Sequence, residues 1–174
     1  MLAIMHIVII SGLSGSGKSI ALNMLEDASY YCVDNLPASL LQTLVDHLEH
    51  SGYDKVAVAI DSRGGDSIAT LPQQLDKLRN AGLNLHFLFL DAKSDTLLKR
   101  YSETRRRHPL ASESRTLSEA IAEERLRLSP LTGLGHHIDT SELKPNALRD
   151  WIRQFVATDA RTGCQTTNAL PITG

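Results

Sequence analysis

A chain of 174 residues, 42% hydrophobic and 22% charged with few aromatics, is long enough for one domain with a buried core and has a globular composition. Its formal net charge of −2 excludes the overall basic footprint of a general nucleic-acid binder. Cys32 and Cys164 lie far apart without metal-ligand spacing and read as reduced thiols of a cytoplasmic protein.

The N-terminal run MLAIMHIVII has no basic region or small-residue cleavage site and is too short to span a bilayer. It reads as a strand, and no membrane association is expected. Its apolar, β-branched core at Ile7–Ile10 suits a strand covered on both faces. After a glycine-rich loop, Ile20, Ala21, Met24, Leu25 and Ala28 recur at helical spacing. Tyr30–Asp34 reads as a short second strand, and Pro37 opens a helix whose inner face is Leu40, Leu41, Leu44, Val45 and Leu48.

Lys55–Asp61 is a third buried strand ending in a carboxylate. A helix follows with Leu71, Leu75 and Leu78 inward, closed by Asn80–Gly82. Leu85–Asp91 is the fourth strand, and Ser94 stands where it can cap a helix bearing Leu97, Leu98 and Tyr101. A basic stretch precedes a helix over Leu117–Leu128, His136–Thr140 gives a fifth strand, and Leu148, Trp151, Ile152 and Phe155 mark the last helix. Residues 158–174 are small and polar and read as a tail or linker beyond a domain of residues 1–157. The final LPITG shares the sortase pentapeptide pattern without the flanking signal, so surface anchoring is not expected.

Five strands alternating with helices predict a doubly wound, parallel α/β sheet with helices on both faces, and ligands bind such sheets at the carboxyl ends of the strands. The loop Gly12-Leu13-Ser14-Gly15-Ser16-Gly17-Lys18-Ser19 matches G-x-x-x-x-G-K-[ST] without a mismatch, between a predicted strand and a predicted helix. Its glycines let backbone N–H groups close around phosphate oxygens, and the helix dipole points at the same anion. Lys18 can reach the β- and γ-phosphates, and the Ser19 hydroxyl can ligate Mg²⁺.

Asp61 ends a strand at the same edge of the sheet, so it reads as a Mg²⁺ ligand or as the start of the turn that SRGGD makes. Asp34 reads equally as a base, a metal ligand or a cap, and Asp91 as a turn-tightening residue. Arg100, Arg105, Arg106 and Arg107 offer forks suited to phosphoryl oxygens, at least one of which is expected to touch phosphate; a solvated charged face is the alternative. His108, His136 and His137 lack metal-ligand spacing with a third partner.

The segments SGLSGSGKSIALNMLED, YYCVDNLP, IDSRGG, FLFLDA, LLKRYSETRRRHPL and HHIDTSEL together closely resemble the N-terminal domain of the RNase adapter protein family, the RapZ- and YvcJ-like nucleotide-binding proteins, from about His6 to Val156. The resemblance implies a P-loop NTPase, kinase-like fold that binds ATP and GTP and hydrolyses them weakly, in proteins that present a small RNA to an endoribonuclease. The family's guanine-nucleotide segment D-x-R-[NS] maps onto Asp61-Ser62-Arg63-Gly64, where Gly64 departs from the pattern.

The family's second domain, associated with RNA and sugar-phosphate binding, has no counterpart in these residues. The expected function is therefore a regulatory ATP- and GTP-binding module with Mg²⁺, in which Lys18, Ser19 and Asp61 carry the chemistry and Gly12–Ser19 with Asp61–Gly64 hold the nucleotide. The alternative is a small-molecule kinase passing the γ-phosphate to a metabolite. An RNA or ribonuclease partner follows from the resemblance alone, and the sequence leaves homo-oligomerisation and base preference open.

Overall fold

A computed structural model describes residues 5–60, 68–104, 108–110 and 116–162. Strands β1 (His6–Gly12), β2 (Tyr31–Val33), β3 (Lys55–Ala59), β4 (Asn84–Asp91) and β5 (His136–Asp139) form a five-stranded sheet in the order β2-β3-β1-β4-β5. Every pairing is parallel, with Ile9 opposite Val58 on one side and Phe87 on the other. Between the strands run helices α1 (Lys18–Asp27), α2 (Leu41–His50), α3 (Leu71–Asn80), α4 (Ser94–Thr104) and α5 (Leu117–Leu128), and α6 (Pro145–Thr162) follows β5.

The strand period of two sorts β1 between two cores. Ile7 and Ile9 join Leu41, Val45 and Leu48 of α2, Leu71, Leu75 and Leu78 of α3, Leu97 of α4 and Ile121 of α5. Val8 and Ile10 face the other way, against Ala21 and Leu25 of α1 and Leu148 and Ile152 of α6. A strand apolar at every position is thus explained by helices on both faces. Fold class agrees with the sequence expectation, and β1, at the centre, puts the glycine loop at the middle of the sheet's carboxyl edge.

Local boundaries differ from the periodicity. Pro37 is extended and leads into a 3₁₀ turn over Ala38–Leu40, so α2 starts only at Leu41. The tighter turn puts Leu40 out of phase with the helix, and it is 49% exposed rather than on the inner face. Strand β2 is shorter than Tyr30–Asp34, and α6 runs on to Thr162, into the segment read as a tail. Ser94 is the first residue of α4, and its hydroxyl accepts from Arg125 at 3.2 Å. Among the described residues no helix is long and apolar enough to cross a membrane.

Candidate functional site

Strand β1 ends at Gly12, and α1 begins at Lys18, so residues 13–17 must reverse the chain at the carboxyl edge of the sheet. Gly12 has φ +144°, and a Cβ there would drive into the Leu90 carbonyl and sit 2.8 Å from its nitrogen. The neighbouring strand therefore admits only a glycine. Gly17, at φ +111°, is the N-cap of α1 and offers no side chain to its first-turn N–H groups. An uncapped helix start beneath a glycine loop leaves donors and a positive dipole end for an anion.

The loop is stitched from outside, residue by residue. Ser14 donates its N–H to Glu124 Oε1 at 2.8 Å and its hydroxyl to Oε2 at 2.7 Å. Arg100 on α4 donates to the Gly15 carbonyl at 2.9 Å and also holds the hydroxyl and carbonyl of Thr140. Thr140, just past β5, gives its own hydroxyl hydrogen to the Ser16 carbonyl at 2.7 Å. Ser16 N–H closes a turn onto the Leu13 carbonyl at 3.0 Å.

Lys18 lies across the loop with Nζ 2.7 Å from the Gly12 carbonyl, and Ser19 is exposed in the first turn. The ammonium, the exposed hydroxyl and the uncapped helix start together can take a phosphate chain with its counter-cation. Burial of Arg100 lowers its guanidinium pKa, although nearby Asp139 and Glu103 favour its charge.

Glu124 is the charge most deeply placed here, with no exposed side-chain surface. Burial alone would raise its carboxyl. Hydrogen bonds from His108 and Ser14 and the nearby Lys18 charge win instead, taking it from 4.5 down to about 2. His108 is equally buried: its Nδ1 accepts the Leu110 N–H at 3.0 Å, so the neutral ring carries its proton on Nε2, 3.0 Å from Glu124 Oε1. No local sequence signal marks Glu124 or Thr140. Glu124 sits in the charged run AEERLRL, and only the tertiary contact over 110 positions of sequence separates it from its solvated neighbours.

The other candidates divide. Asp34 is exposed and accepts the Asn35 N–H at 2.8 Å, a local turn contact. Asp91 tightens its turn by accepting the Ala92 N–H at 2.7 Å, and it also holds Arg125 at 2.9 Å and His137 at 3.2 Å. His136 and His137 lie on the edge strand β5, where burial and nearby His86 hold the His136 imidazole below its ordinary pKa. Cys32 is a free thiol pushed up to about 11 by burial, with Glu26 adding to it. Asp61, Ser62, Arg63 and Gly64, the arginines Arg105, Arg106 and Arg107, and Cys164 lie outside the described residues.

Comparison with known structures bears on the fold. A shikimate kinase from Bacteroides thetaiotaomicron superposes with a TM-score of 0.57 at 12% identity, covering 89% of this chain and 98% of its own. A gluconokinase from Sinorhizobium meliloti gives 0.54 at 20%, covering 91% and 94%. This is the P-loop, kinase-like NTPase architecture, and at such identities the likeness is one of fold.

Sequence relatives are nearer. A nucleotide-binding protein of Dechloromonas aromatica is 58% identical over 159 residues, 91% of this chain and 57% of its own length. One of Nitrosomonas europaea is 58% identical over 163 residues, 94% of this chain and 56% of its own. The chain thus spans a little over half the length of these curated relatives. Residues 5–160, from the start of β1 almost to the end of α6, match the profile described as the RapZ-like N-terminal domain, and the chain belongs to that family.

Proposed function

We propose that this chain binds a nucleoside triphosphate in the loop Gly12–Ser19 and hydrolyses it slowly, as the nucleotide-binding module of a regulatory protein. The observation that carries the reading is the loop itself. Gly12 is forced against Leu90, Gly17 leaves α1 uncapped, and Lys18 lies across the opening. The names of the relatives, which call them nucleotide-binding proteins, support it.

Lys18 and the loop amides would offset charge on the terminal phosphoryl group. Ser19 and Asp61 would hold Mg²⁺, which supplies further charge neutralisation at the phosphates when bound; the exposed Ser19 hydroxyl fits that role. Asp61–Gly64 would contribute to base recognition, and both ATP and GTP are proposed ligands. Adapter activity toward an RNA or a ribonuclease, a cytoplasmic setting and homo-oligomerisation belong to the proposal for the whole protein.

With water as acceptor and no base placed for it among the described residues, turnover should be on the order of 10⁻³ s⁻¹. The fold shared with a shikimate kinase and a gluconokinase favours a second reading: transfer of the γ-phosphate to a metabolite. The experiment follows γ-labelled ATP, and separately GTP, incubated with the protein, Mg²⁺ and a metabolite extract. Slow appearance of label as free phosphate alone supports the regulatory reading, whereas label in a new compound replaces it with the kinase. Lys18→Ala is expected to weaken nucleotide binding by about ten- to a hundredfold, the value of a lost charge-assisted contact, and calorimetry checks it. Unchanged affinity would sink both readings.

A further inference from the structure

Three consecutive residues of the loop are each held by a different element. Glu124 of α5 takes the N–H and hydroxyl of Ser14, Arg100 of α4 takes the Gly15 carbonyl, and Thr140 takes the Ser16 carbonyl. A trans peptide's N–H points away from its C=O, so the hold on the Ser16 carbonyl turns the Gly17 N–H the opposite way, while the Ser16 N–H closes onto the Leu13 carbonyl. Of the three holders, Glu124 is the one that burial penalises most, because a carboxylate without water must be matched by donors. It is matched by Ser14, by His108 and by the nearby positive charge of Lys18.

We propose that Glu124 is a positioning residue for the phosphate loop: with its carboxylate fixed by His108, it sets the Ser14 corner and so the aim of the amides that follow. The inference deepens the nucleotide-binding reading and rests on it. Glu124 has no exposed side-chain surface and acts through Ser14. A carboxylate suits the task because its two oxygens can accept from the Ser14 N–H and hydroxyl together, leaving one of them to accept the His108 proton as well. A neutral amide presents one accepting oxygen and an NH₂ group that must turn toward other donors.

The fixed ring of His108 has a second consequence. Its Nδ1 is occupied by the Leu110 N–H, so the ring cannot rotate without surrendering that bond. Tyr101 lies beside it with ring centroids 5.4 Å apart. The same Tyr101 is the nearest side chain to the space beside Gly15, 3.3 Å from where a Cβ would stand. The imidazole therefore bridges the short segment around His108 and the carboxylate that steers the loop.

The test measures binding of the β,γ-imido analogues of ATP and GTP, with Mg²⁺, by calorimetry on the full chain. The variants are Glu124→Gln, Ser14→Ala, their double mutant, His108→Gln, and Val45→Ala, a buried core control on α2. Hydrogen exchange of the Ser14 amide is read on the same proteins without nucleotide. Glu124→Gln should weaken binding about tenfold, Ser14→Ala about threefold, and the double mutant no more than Glu124→Gln alone, since coupled residues are not additive. Ser14 exchange should quicken in Glu124→Gln and His108→Gln, while Val45→Ala loses stability but keeps its affinity.

Affinity within twofold of the wild type in Glu124→Gln overturns the positioning role and leaves nucleotide binding intact. So does an additive double mutant, or an equal loss in Val45→Ala. A wild-type protein that binds neither analogue overturns the nucleotide reading and this role with it. Should Glu124→Gln not fold, Ser14→Ala and His108→Gln decide: both must weaken binding, and wild-type affinity in both overturns the proposal.

Discussion

At the residue scale, backbone conformation and burial set the terms. Gly12 meets a backbone carbonyl of the adjacent strand, which cannot yield without breaking the pairing, so Gly12→Ala is expected to cost about 3 kcal/mol or more in urea unfolding. Gly17→Ala meets only the flexible end of Leu148, at 2.7 Å, so its cost should be nearer the strain of a positive φ, about 1–2 kcal/mol. If the two were equal, the close approach at Leu90 would not be what selects Gly12.

Glu124 gives the protein an acid-sensitive limb. Folded, it titrates at about 2, below its usual 4.5, so the unfolded chain takes up this proton first as pH falls. Its contribution is complete above about pH 4.5 and declines as pH drops toward 2. Denaturant midpoints recorded across that window should fall in the wild type and flatten in Glu124→Gln.

At the scale of elements, the loop's holders depend on how their helices and turns begin. Helix α5 starts behind Thr116, whose hydroxyl accepts the Glu119 N–H at 3.2 Å, and its inner face buries Ala120, Ile121, Glu124 and Leu128. Thr116→Ala should cost about 1 kcal/mol, the usual worth of such a cap, by thermal or urea unfolding. The turn after β4 is held by Asp91, whose oxygens serve Ala92, Arg125 and His137 at once. Arg125, one residue past Glu124, in turn reaches the Ala92 carbonyl and Ser94 at the start of α4. Helices α4 and α5 are thereby joined beside the site, which keeps Arg100 and Glu124 in a fixed relation.

On the scale of the whole molecule, the strand order puts β1 between β3 and β4, with α1 and α6 on one face and α2 to α5 on the other. A ligand held at the end of β1 therefore touches the centre of the structure rather than a loop at its margin. Binding at that centre should stabilise the fold as a unit. At a free concentration one hundred times the dissociation constant, an ATP analogue with Mg²⁺ should add about 2.7 kcal/mol, visible as a raised unfolding midpoint. GTP analogue run alongside would report base preference, the property that Gly64 puts in question.

Much of this was legible in the residues. The fully apolar strand Ile7–Ile10 announced a sheet covered on both faces, and the Leu71, Leu75, Leu78 period announced α3, because burial on a regular backbone repeats at fixed intervals. The octapeptide Gly12–Ser19 announced the turn, because glycine spacing and a following helix are local properties of the chain. Where a residue's environment comes from distant segments, no local pattern exists to read. Leu40 carries the right residue type but lies in a 3₁₀ turn, and Asp34, one residue past β2, accepts the N–H of its neighbour Asn35.

The sequence by itself determined the parallel α/β fold, the phosphate loop at its carboxyl edge and the family resemblance, all of which rest on short-range periodicity and contiguous motifs. Only the tertiary structure decided that Glu124, one acid among several in α5, is the buried partner of Ser14, that His108 holds it, and that Arg100 and Thr140 hold the loop carbonyls. The physical reason is that charge is indifferent to sequence neighbours: a carboxylate is solvent-facing or structural according to which distant donors the fold brings to it.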